Sequence, residues 1–429
     1  MASKTINTRC CVVGGGPAGM MLGFLLARGG IDVVVLEKHA DFLRDFRGDT
    51  IHPSTLELMH ELGLLAEFLK LPHQKLATLS ARVGGTEVQA VDLSHLPAHC
   101  PFIAMMPQWD FLEFLADHAR RYPSFRLEMR TEASDLIEQD GVIAGVTART
   151  LEGTIDVRAD LTIGCDGRHS TLRDRARLKV EELGAPMDVL WFRVQRHPED
   201  ATDTALVILP GHILVSINRG EYWQCAYVIP KGTADRVRSL GLAQFRESVV
   251  RIMPIFRDRI QEIADWDAVK LLTVRVDRLS QWYRRGLLCI GDAAHAMSPV
   301  GGVGINLAVQ DAVAAANLLY RPLQSGSVGE DALRAVQQRR EFPAWLTQRG
   351  QIFIQNRVIA GVLGEPDAIK PPLVLKLLQH VPFLRRIPAR VLGMGFRPEH
   401  IATPDVMPAP ATEHKRPVSD FARDGNRLA

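Results

Sequence analysis

The chain has 429 residues, of which 46% are hydrophobic and 23% are charged, and its formal net charge is +2 at pH 7. This length predicts two or three domains around a sizeable core, and the composition excludes a disordered or fibrous protein. The near balance of 51 basic and 49 acidic residues argues against nucleic acid as a partner, because nucleic-acid binding usually needs a strongly basic surface.

The N-terminal part predicts an α/β unit interrupted by a hairpin. Residues 9–39 have the pattern of strand, glycine turn, helix and second strand, which is a complete βαβ unit. Residues 53–70 and 110–121 have the apolar spacing of amphipathic helices. Between them, residues 75–94 alternate around a glycine turn, which predicts a β-hairpin.

The uncharged stretch at residues 10–27 could pass for a signal or membrane segment. The run GGGPAG inside it would break a spanning helix, and no cleavage site followed by a fresh start is evident. We therefore expect a buried strand and helix here, and no membrane contact.

The middle of the chain predicts antiparallel strands. Residues 188–229 contain three strand-like runs separated by PG and NRG turns. A helix-rich region at 241–263 leads to a strand predicted at 270–279. This pattern favours a β-sheet domain that is inserted twice into an α/β domain.

The C-terminal part predicts helices from residue 306 to about residue 360. The segment 371–398 is apolar, basic and interrupted by prolines, and we expect it to pack over the core. The predicted division is an α/β domain at 1–74, 102–180 and 271–345, a β-sheet domain at 75–101 and 181–270, a C-terminal helical region at 346–402 and a polar tail at 403–429.

The six cysteines form no CxxC pair and have no ligand-like spacing to histidines, so the sequence predicts no metal site. Four of them lie in or beside apolar runs, where a free thiol behaves as a small hydrophobe. Buried free thiols fit a reducing compartment, and we expect a cytoplasmic protein. The cysteines are Cys10, Cys11, Cys100, Cys165, Cys225 and Cys289.

The first chemical motif is Gly14-x-Gly16-x-x-Gly19, which follows a strand and opens a helix, with Glu37 at the end of the next strand. Gly14 permits a tight turn, Gly16 lets a pyrophosphate approach the backbone, and Gly19 allows close helix–strand packing. Glu37 would accept hydrogen bonds from a ribose. This pattern predicts a dinucleotide site, and by itself it does not separate NAD from FAD.

Two further motifs each follow a predicted strand. CDGRHSTLR at 165–173 places Asp166 at a strand end, and the same residues could form only a capped turn. CIGDAAHAMSPVGGVGIN at 289–306 places Asp292 at a strand end and glycines before a helix that starts near Ile305. A strand end that feeds a helix N-terminus is where open α/β folds bind ligands.

These three motifs, in this order, resemble those of class A flavoprotein monooxygenases of the para-hydroxybenzoate hydroxylase type, over about residues 8–345. The resemblance implies an α/β fold with a Rossmann-like FAD-binding domain of the GR2 type, an inserted antiparallel β-sheet substrate domain and C-terminal helices. It implies FAD as the cofactor, NADH or NADPH as the electron donor and O2 as the co-substrate. Such a monomer or homodimer would hydroxylate a small aromatic or heteroaromatic substrate through a flavin C4a-hydroperoxide.

The resemblance also implies roles for individual residues. Arg47 matches an arginine near the flavin and its phosphates, and Pro299 matches a proline whose carbonyl borders the peroxide site, so both are assigned to catalysis. The helix that begins near Ile305 would stabilise negative charge at the flavin N1, because a helix N-terminus carries partial positive charge. The FAD-binding residues would be Gly14, Gly16, Pro17, Ala18, Gly19, Glu37, Lys38, Arg47, Gln108, Asp166, Asp292, Gly302, Gly304, Ile305 and Asn306.

The substrate pocket is expected along the β-sheet domain, where apolar side chains at strand spacing suit a flat ring. The candidates are Trp191, Phe192, Ile213, Val215, Trp223 and Tyr227. His295 is expected to shape its loop, and His52 to be solvated or hydrogen-bonded locally, so neither is assigned to catalysis.

The sequence offers three alternatives to this function. A flavin halogenase would carry WxWxIP, and residues 225–230 read CAYVIP instead, which argues against halogenation. A flavoenzyme for a prenylated or lipid-like substrate is suggested only by residues 371–398. A non-catalytic escort protein of the same fold would not need to retain Glu37, Asp292 and the glycine loop.

Overall fold

The computed structural model describes residues 4–43, 50–200, 204–364 and 381–407. Strands and helices alternate in the N-terminal region, strands dominate the middle, and helices follow residue 304. The strands are β1 Lys4–Val13, β2 Val33–Leu36, β3 Thr50–Ile51, β4 Gln74–Leu76, β5 Thr78–Val83, β6 Thr86–Asp92, β7 Ile103–Met105, β8 Phe125–Glu128, β9 Glu132–Gln139, β10 Val142–Thr150, β11 Gly153–Gly164, β12 Val180–Glu182, β13 Met187–Gln195, β14 Ala205–Leu209, β15 His212–Asn218, β16 Tyr222–Pro230, β17 Lys270–Leu272, β18 Asp277–Leu279, β19 Tyr283–Arg284 and β20 Leu287–Cys289. The helices are α1 Pro17–Arg28, α2 Pro53–Glu61, α3 Leu65–Phe68, α4 Gln108–Ala119, α5 Thr171–Arg175, α6 Ala234–Ser239, α7 Leu242–Ile252, α8 Gly304–Ser325, α9 Glu330–Ile354, α10 Ala360–Gly364 and α11 Arg386–Met394.

The first sheet is a mixed sheet whose centre is parallel. Its strand order is β19-β20-β11-β1-β2-β8, and β10 and β9 extend from β11 as antiparallel strands. Strands β20, β11, β1, β2 and β8 are parallel to one another. In register, Val13 pairs with both Gly164 and Leu36, and Gly164 pairs with Cys289. The carboxyl ends of four strands therefore meet at one edge of the sheet.

Both faces of this sheet are buried, which the continuous apolar runs of its strands require. Cys10 and Val12 of β1 face the core that α1, α4 and α8 cover. Cys11 and Val13 face a second core formed with β9, β10 and β11. All six cysteines are buried and free, and β1 and α1 are a buried strand and helix, so both of these predictions are confirmed.

The second sheet has seven strands in the order β17-β13-β16-β15-β14-β5-β6. Its pairs are antiparallel except β14 with β5, where Leu206 lies opposite Ala81 in parallel register. The predicted hairpin is confirmed as β5 and β6, which turn at residues 84–85 and join the strands of residues 187–230 in this sheet. The domain boundaries themselves stay a prediction.

Two predicted elements are each divided in the structure. The helix predicted over 53–70 ends at Glu61 and restarts at Leu65, because Gly63 has a φ of +74° that a helix cannot contain. The strand predicted over 270–279 becomes β17, which pairs with β13, and β18, which pairs with β12 in a separate two-stranded sheet. Val274 and Val276 between them are buried.

The C-terminal helices cover the cavity between the two large sheets. Helices α8 and α9 are followed by a π-helical turn at Gln355–Ile359, and α11 packs against β6 and α2. Among the described residues, one helical stretch, 300–325, is long and apolar enough to cross a bilayer. In its most apolar window, 72% is buried inside the protein. Of the predicted segment 371–398, residues 371–380 lie outside the described residues.

Candidate functional site

A cavity of about 1090 Å³ extends from the carboxyl edge of the first sheet to the inner face of the second. At one end it is lined by the residues that follow β1, β2, β11 and β20, and at the other by apolar side chains of β5, β13, β15 and β16. Because the four strand ends are in register, motifs far apart in sequence reach the same cavity.

Close packing joins the three motifs. A Cβ atom at Gly14, which has a φ of +108°, would stand 2.3 Å from the carbonyl oxygen of Cys165. A Cβ atom at Gly291 would lie 3.2 Å from the Cβ of Ala18 and 3.3 Å from that of Ala308. Only glycine at these positions lets the turn after β1, the strand end of β11 and the loop before α8 approach one another.

The turn into α1 has the features of an anion cradle. Gly16 caps α1 with extended backbone and no side-chain hydrogen bond, and Pro17 is the first helical residue. A Cβ atom at Gly16 would meet no atom within 4 Å, so a ligand can approach the backbone there. The N–H groups of the first helical turn then point at any anion in this position.

Glu37 ends β2 and lies beside this turn. Its Oε2 accepts a hydrogen bond from the backbone N–H of Gly15 at 2.9 Å, and its Oε1 accepts one from His39 at 3.0 Å. The carboxylate is thus held in one orientation at the cavity wall. Lys38 lines the same end of the cavity.

Gly19 has a different role from Gly14 and Gly16. It does not line the cavity, and a Cβ atom there would stand 1.9 Å from the carbonyl oxygen of Gly14. The sequence-based interpretation of Gly19 as a packing glycine is confirmed. Its place in the cradle around a pyrophosphate stays a prediction, and its N–H belongs to the first turn of α1.

Asp166 and Asp292 line the cavity near the same strand ends. Burial raises the pKa of Asp166, and the hydrogen bonds that the carboxylate accepts from the Ser170 hydroxyl and the Leu172 N–H oppose this rise. Oδ1 of Asp166 is buried and has no hydrogen-bond partner among the described residues. Asp292 pairs with Arg168 across 3.4 Å. An orphaned carboxylate oxygen fits a ligand that donates hydrogen bonds, such as a ribityl or ribose hydroxyl.

Positive charge surrounds this pair of carboxylates. Burial lowers the pKa of His169, and the charges of Arg275, Arg168 and Arg173 lower it further. Of the cations here, Lys38 and Arg168 line the cavity itself. Together with the N-termini of α1 and α8 they suit a diphosphate. The capped turn weighed for residues 165–173 is also present, since Ser170 Oγ accepts the N–H of Arg173 at 3.1 Å.

The loop before α8 carries Pro299, Gly302, Gly304 and Ile305, all of which line the cavity. Helix α8 begins at Gly304 without a side-chain cap, so its first N–H groups remain for a ligand. Gly302 has a φ of +62°, and Thr50 Oγ1 donates to its carbonyl oxygen at 2.6 Å. Gln108, at the start of α4, lines the cavity as well.

The side chain of Asn306 joins α8 to the segment before α2. Its Oδ1 accepts hydrogen bonds from the His52 N–H at 2.8 Å and from Thr55 Oγ1 at 2.7 Å, and its Nδ2 donates to the Thr50 carbonyl at 3.1 Å. The side-chain amide therefore ties α8 to residues 50–55. Asn306 also lines the cavity, and its contact with a flavin stays a prediction.

His295 belongs to a buried charged network behind the loop. Its Nε2 lies 2.6 Å from Asp311 Oδ2, and Arg340 Nε donates to Asp311 Oδ1 at 2.9 Å. Burial would raise the pKa of Asp311, but the charges and hydrogen bonds of His295 and Arg340 outweigh burial and lower it. Asp311 also accepts the Gly291 N–H at 3.1 Å, which agrees with the expectation that His295 shapes the loop.

Only half of the predicted substrate residues line the cavity. Trp191, Ile213 and Val215 do so. Phe192, Trp223 and Tyr227 are buried in the core between this sheet and α6–α7, where Phe192 and Tyr227 pack against Phe245. The prediction for these three residues is wrong, because side chains alternate across a strand and their face of the sheet is covered by helices.

The sequence-based reasoning missed the C-terminal wall of the cavity. Helix α9 contributes one part of this wall and α11 another, and both carry ordinary helical patterns without a motif. Arg47, which was assigned to catalysis and FAD binding, lies outside the described residues. The cavity residues of this wall are Leu346, Thr347, Gly350, Gln351, Ile354, Pro388, Val391, Leu392, Met394 and Phe396.

Comparisons with known proteins agree with this geometry. A family model described as an FAD binding domain matches residues 7–350. The chain is 30% identical over 389 residues to the 6-methylpretetramide 4-monooxygenase of Streptomyces rimosus, which covers 90% of this chain and 92% of that protein. It is 24% identical over 325 residues to the para-nitrophenol 4-monooxygenase of Pseudomonas sp. (strain WBC-3), covering 74% and 78%. Three further relatives are longer than this chain, and their alignments with it cover between 59% and 63% of their own length.

Among solved structures, the crystal structure of p-nitrophenol 4-monooxygenase PnpA from Pseudomonas putida DLL-E4 superposes with a TM-score of 0.73 at 19% identity, covering 91% of this chain and 97% of that one. At this identity the likeness concerns the fold alone. The chain belongs to the FAD-binding family of flavoprotein aromatic monooxygenases, because the family model matches most of it and its relatives carry that activity in their names. The resemblance drawn from the three motifs and the α/β FAD-binding fold are confirmed.

Proposed function

We propose that this protein is an FAD-dependent monooxygenase that uses NADH or NADPH and O2 to hydroxylate an aromatic or heteroaromatic small molecule. One oxygen atom of O2 would be inserted into a ring C–H bond. The other would be reduced to water by the hydride of NADH or NADPH, which supplies two electrons and one proton, together with one further proton from solvent. The observation that carries the proposal is a single cavity with a phosphate-binding and hydroxyl-binding edge at one end and an apolar wall at the other. We propose a fold of the GR2 type, with the second sheet as the substrate domain, in a cytoplasmic monomer or homodimer.

The described residues fit FAD. The N–H groups at the start of α1 would bind the pyrophosphate, Glu37 the adenosine ribose and Asp292 the ribityl chain. The free N–H groups at the start of α8 would face the edge of the isoalloxazine ring that becomes negative on reduction. When bound, the flavin supplies the activation of oxygen that side chains lack. The protein orients the ring through the loop around Pro299 and keeps water away with the apolar wall.

An apolar, flat wall supports an aromatic substrate. Val189, Trp191, Ile213 and Val228 line the cavity from three neighbouring strands of the second sheet. Such a surface binds ring systems by burial and stacking. Since one relative is named for 6-methylpretetramide and another for para-nitrophenol, polycyclic and monocyclic phenols both belong in the first screen.

The test is the oxidation of NADH and NADPH by the purified FAD-loaded protein with a panel of phenols, quinolones, pyridines and polycyclic phenols. A true substrate should accelerate nicotinamide oxidation and gain one oxygen atom by mass spectrometry, with the label coming from ¹⁸O2. A complete panel that neither accelerates oxidation nor yields a product would refute the monooxygenase proposal. Colourless protein that gains no flavin absorbance with added FAD would favour the escort alternative.

Asp292→Ala should lose FAD while the protein stays folded, because Asp292 lines the cavity at the position proposed for the ribityl chain. Asp265→Ala is the matched control, since that carboxylate only caps the turn at 266–268. Flavin absorbance per polypeptide and circular dichroism of the fold are the measurements. Full flavin content in Asp292→Ala would contradict the role assigned to this residue.

Trp191 and Trp223 form a second matched pair, since they lie on neighbouring strands but on opposite faces of the sheet. Trp191→Ala should raise KM for the substrate with little loss of stability. Trp223→Ala should cost about 3–5 kcal/mol of stability, because it empties a fully buried position and removes the hydrogen bond to Asp200. The reverse pattern would place the substrate on the other face.

A further inference from the structure

Three buried glutamines lie along one face of α9 and the turn that follows it. Gln348, Gln351 and Gln355 are spaced by three and four residues, so their side chains project in the same direction. We call these three residues the glutamine column. Burying an amide is unfavourable unless its polar atoms are paired. Each Nε2 of the column and the Oε1 of Gln351 have partners, whereas the Oε1 atoms of Gln348 and Gln355 have none among the described residues.

The partners of the glutamine column are the backbone of residues 296–300, the Ser298 hydroxyl and the Asp277 carbonyl. Gln351 Nε2 donates to the Ser298 carbonyl at 3.0 Å and to the Val300 carbonyl at 2.9 Å, and its Oε1 accepts the Ser298 N–H at 3.1 Å. Gln348 Nε2 donates to the carbonyl oxygens of Asp277 at 2.8 Å and Ala296 at 3.1 Å. Gln355 Nε2 donates to Ser298 Oγ.

This stretch of loop has little regular structure that could satisfy its own backbone. It contains the residues on both sides of Pro299, and it runs into the short 3-10 turn at Val300–Gly302. Backbone groups in a buried loop need partners, and here side chains of α9 supply them where a strand or helix would otherwise do so. The position of Pro299 is thus set from α9.

The same helix also forms a wall of the cavity. Gln351 of the column lines the cavity together with Thr347, Gly350 and Ile354. Val358 and Ile359 line it from the π-helical turn. Turns of this kind recur at functional sites, where they shift the register of a helix face. One rigid element therefore carries both the loop contacts and part of the surface on which a substrate would rest.

We propose that the glutamine column consists of positioning residues that hold the loop around Pro299 at a fixed distance from the flavin ring and from the α9 wall. The inference rests on the proposed function, because it takes the ring to lie against residues 299–304. Loss of the column should leave the fold intact and let the loop move relative to the ring. Oxygen transfer should then suffer more than nicotinamide oxidation, since small displacements of reacting groups are costly.

The test compares Gln351→Met with Gln337→Met in the FAD-loaded full-length protein. Gln337 is also on α9 and also binds backbone, accepting the Trp282 N–H at 3.0 Å and donating to the Ser280 carbonyl at 3.1 Å, but away from the loop. Met matches the length of Gln and removes its polar atoms. If the column positions the loop, Gln351→Met alone should change the visible circular dichroism and the midpoint potential of bound FAD. With an accepted substrate, its product per NAD(P)H oxidised should fall about tenfold.

Equal loss of thermal stability in both variants, with the flavin spectrum, potential and product yield of wild type, would overturn the inference while leaving the proposed function standing. Wild-type protein that takes up no FAD would overturn both. Should Gln351→Met fail to fold, Gln355→Met removes only the contact to Ser298 Oγ, and it should show the same spectral shift in smaller measure. An unchanged spectrum in a folded Gln355→Met would then count against the column.

Discussion

Acid should destabilise the protein through His52, which lies between α2 and the cavity wall formed by α11. Its side chain is fully buried, its Nδ1 contacts the Leu392 carbonyl at 2.8 Å, and its Nε2 has no hydrogen-bond partner among the described residues. Burial lowers the pKa of His52 to about 4, and the contact with Leu392 offsets this only in part. An imidazole in an unfolded chain has a pKa of about 6.5.

The sign follows from these two values. Because the folded-state pKa is the lower one, the unfolded chain takes up a proton first as the pH falls. The stability that neutral His52 contributes is present above about pH 6.5 and is lost progressively as the pH falls toward about 4. Between pH 7 and pH 5 the linkage amounts to about 2 kcal/mol of unfolding free energy.

Urea unfolding of wild type and His52→Asn at pH 7 and pH 5 measures this difference. Asn keeps a donor that can reach the Leu392 carbonyl and is a favourable residue at the start of a helix, but it does not titrate. The variant should lose about 2 kcal/mol less stability than wild type on acidification. His95→Asn, at a half-exposed side chain, is the control and should follow wild type. Identical pH dependence in wild type and His52→Asn would refute the reasoning.

Two further predictions concern the glycine turn and the buried charges. Gly19→Ala should destabilise the protein and abolish FAD binding, since the new Cβ would stand 1.9 Å from the Gly14 carbonyl, whereas Gly16→Val should leave the fold intact and weaken FAD binding in a fluorescence titration. Equal effects of both substitutions on stability would contradict this assignment. Arg340→Met should cost about 3–5 kcal/mol in urea unfolding because it leaves Asp311 buried without its cationic partner, and a loss within about 0.5 kcal/mol of zero would show that the network is not needed.

The parts of the site that depend on local backbone were predictable from the sequence. A glycine turn between a strand and a helix has a geometry that neighbouring residues set. The same holds for the acids that follow β2, which ends at Leu36, and β11, which ends at Gly164. Glu37, Asp166 and Asp292 reach the cavity as expected, because each follows a strand whose carboxyl end lies at the same edge of one parallel sheet. The resemblance to the family was visible in the sequence for the same reason, since the three motifs are local patterns.

The parts that depend on what packs against an element were not predictable. The strand pattern separates Trp191 from Phe192 and so defines two faces, but only the position of α6 and α7 decides which face is core and which is cavity. Likewise Asn306 lies in the glycine-rich motif, but no local pattern predicts that its side-chain amide binds residues 50–55.

The amino-acid sequence by itself determined the strand ends and the glycine turns, because short-range sterics and hydrogen bonding set such features within a few residues. These features also determine which polar groups lie at the carboxyl edge of the first sheet. The tertiary structure alone decided which apolar face lines the cavity and that glutamines of α9 and the turn after it bind the loop around Pro299. Gln351 and Ser298 are 53 residues apart, and no local pattern records such a contact. Only long-range packing brings their hydrogen-bonding groups together.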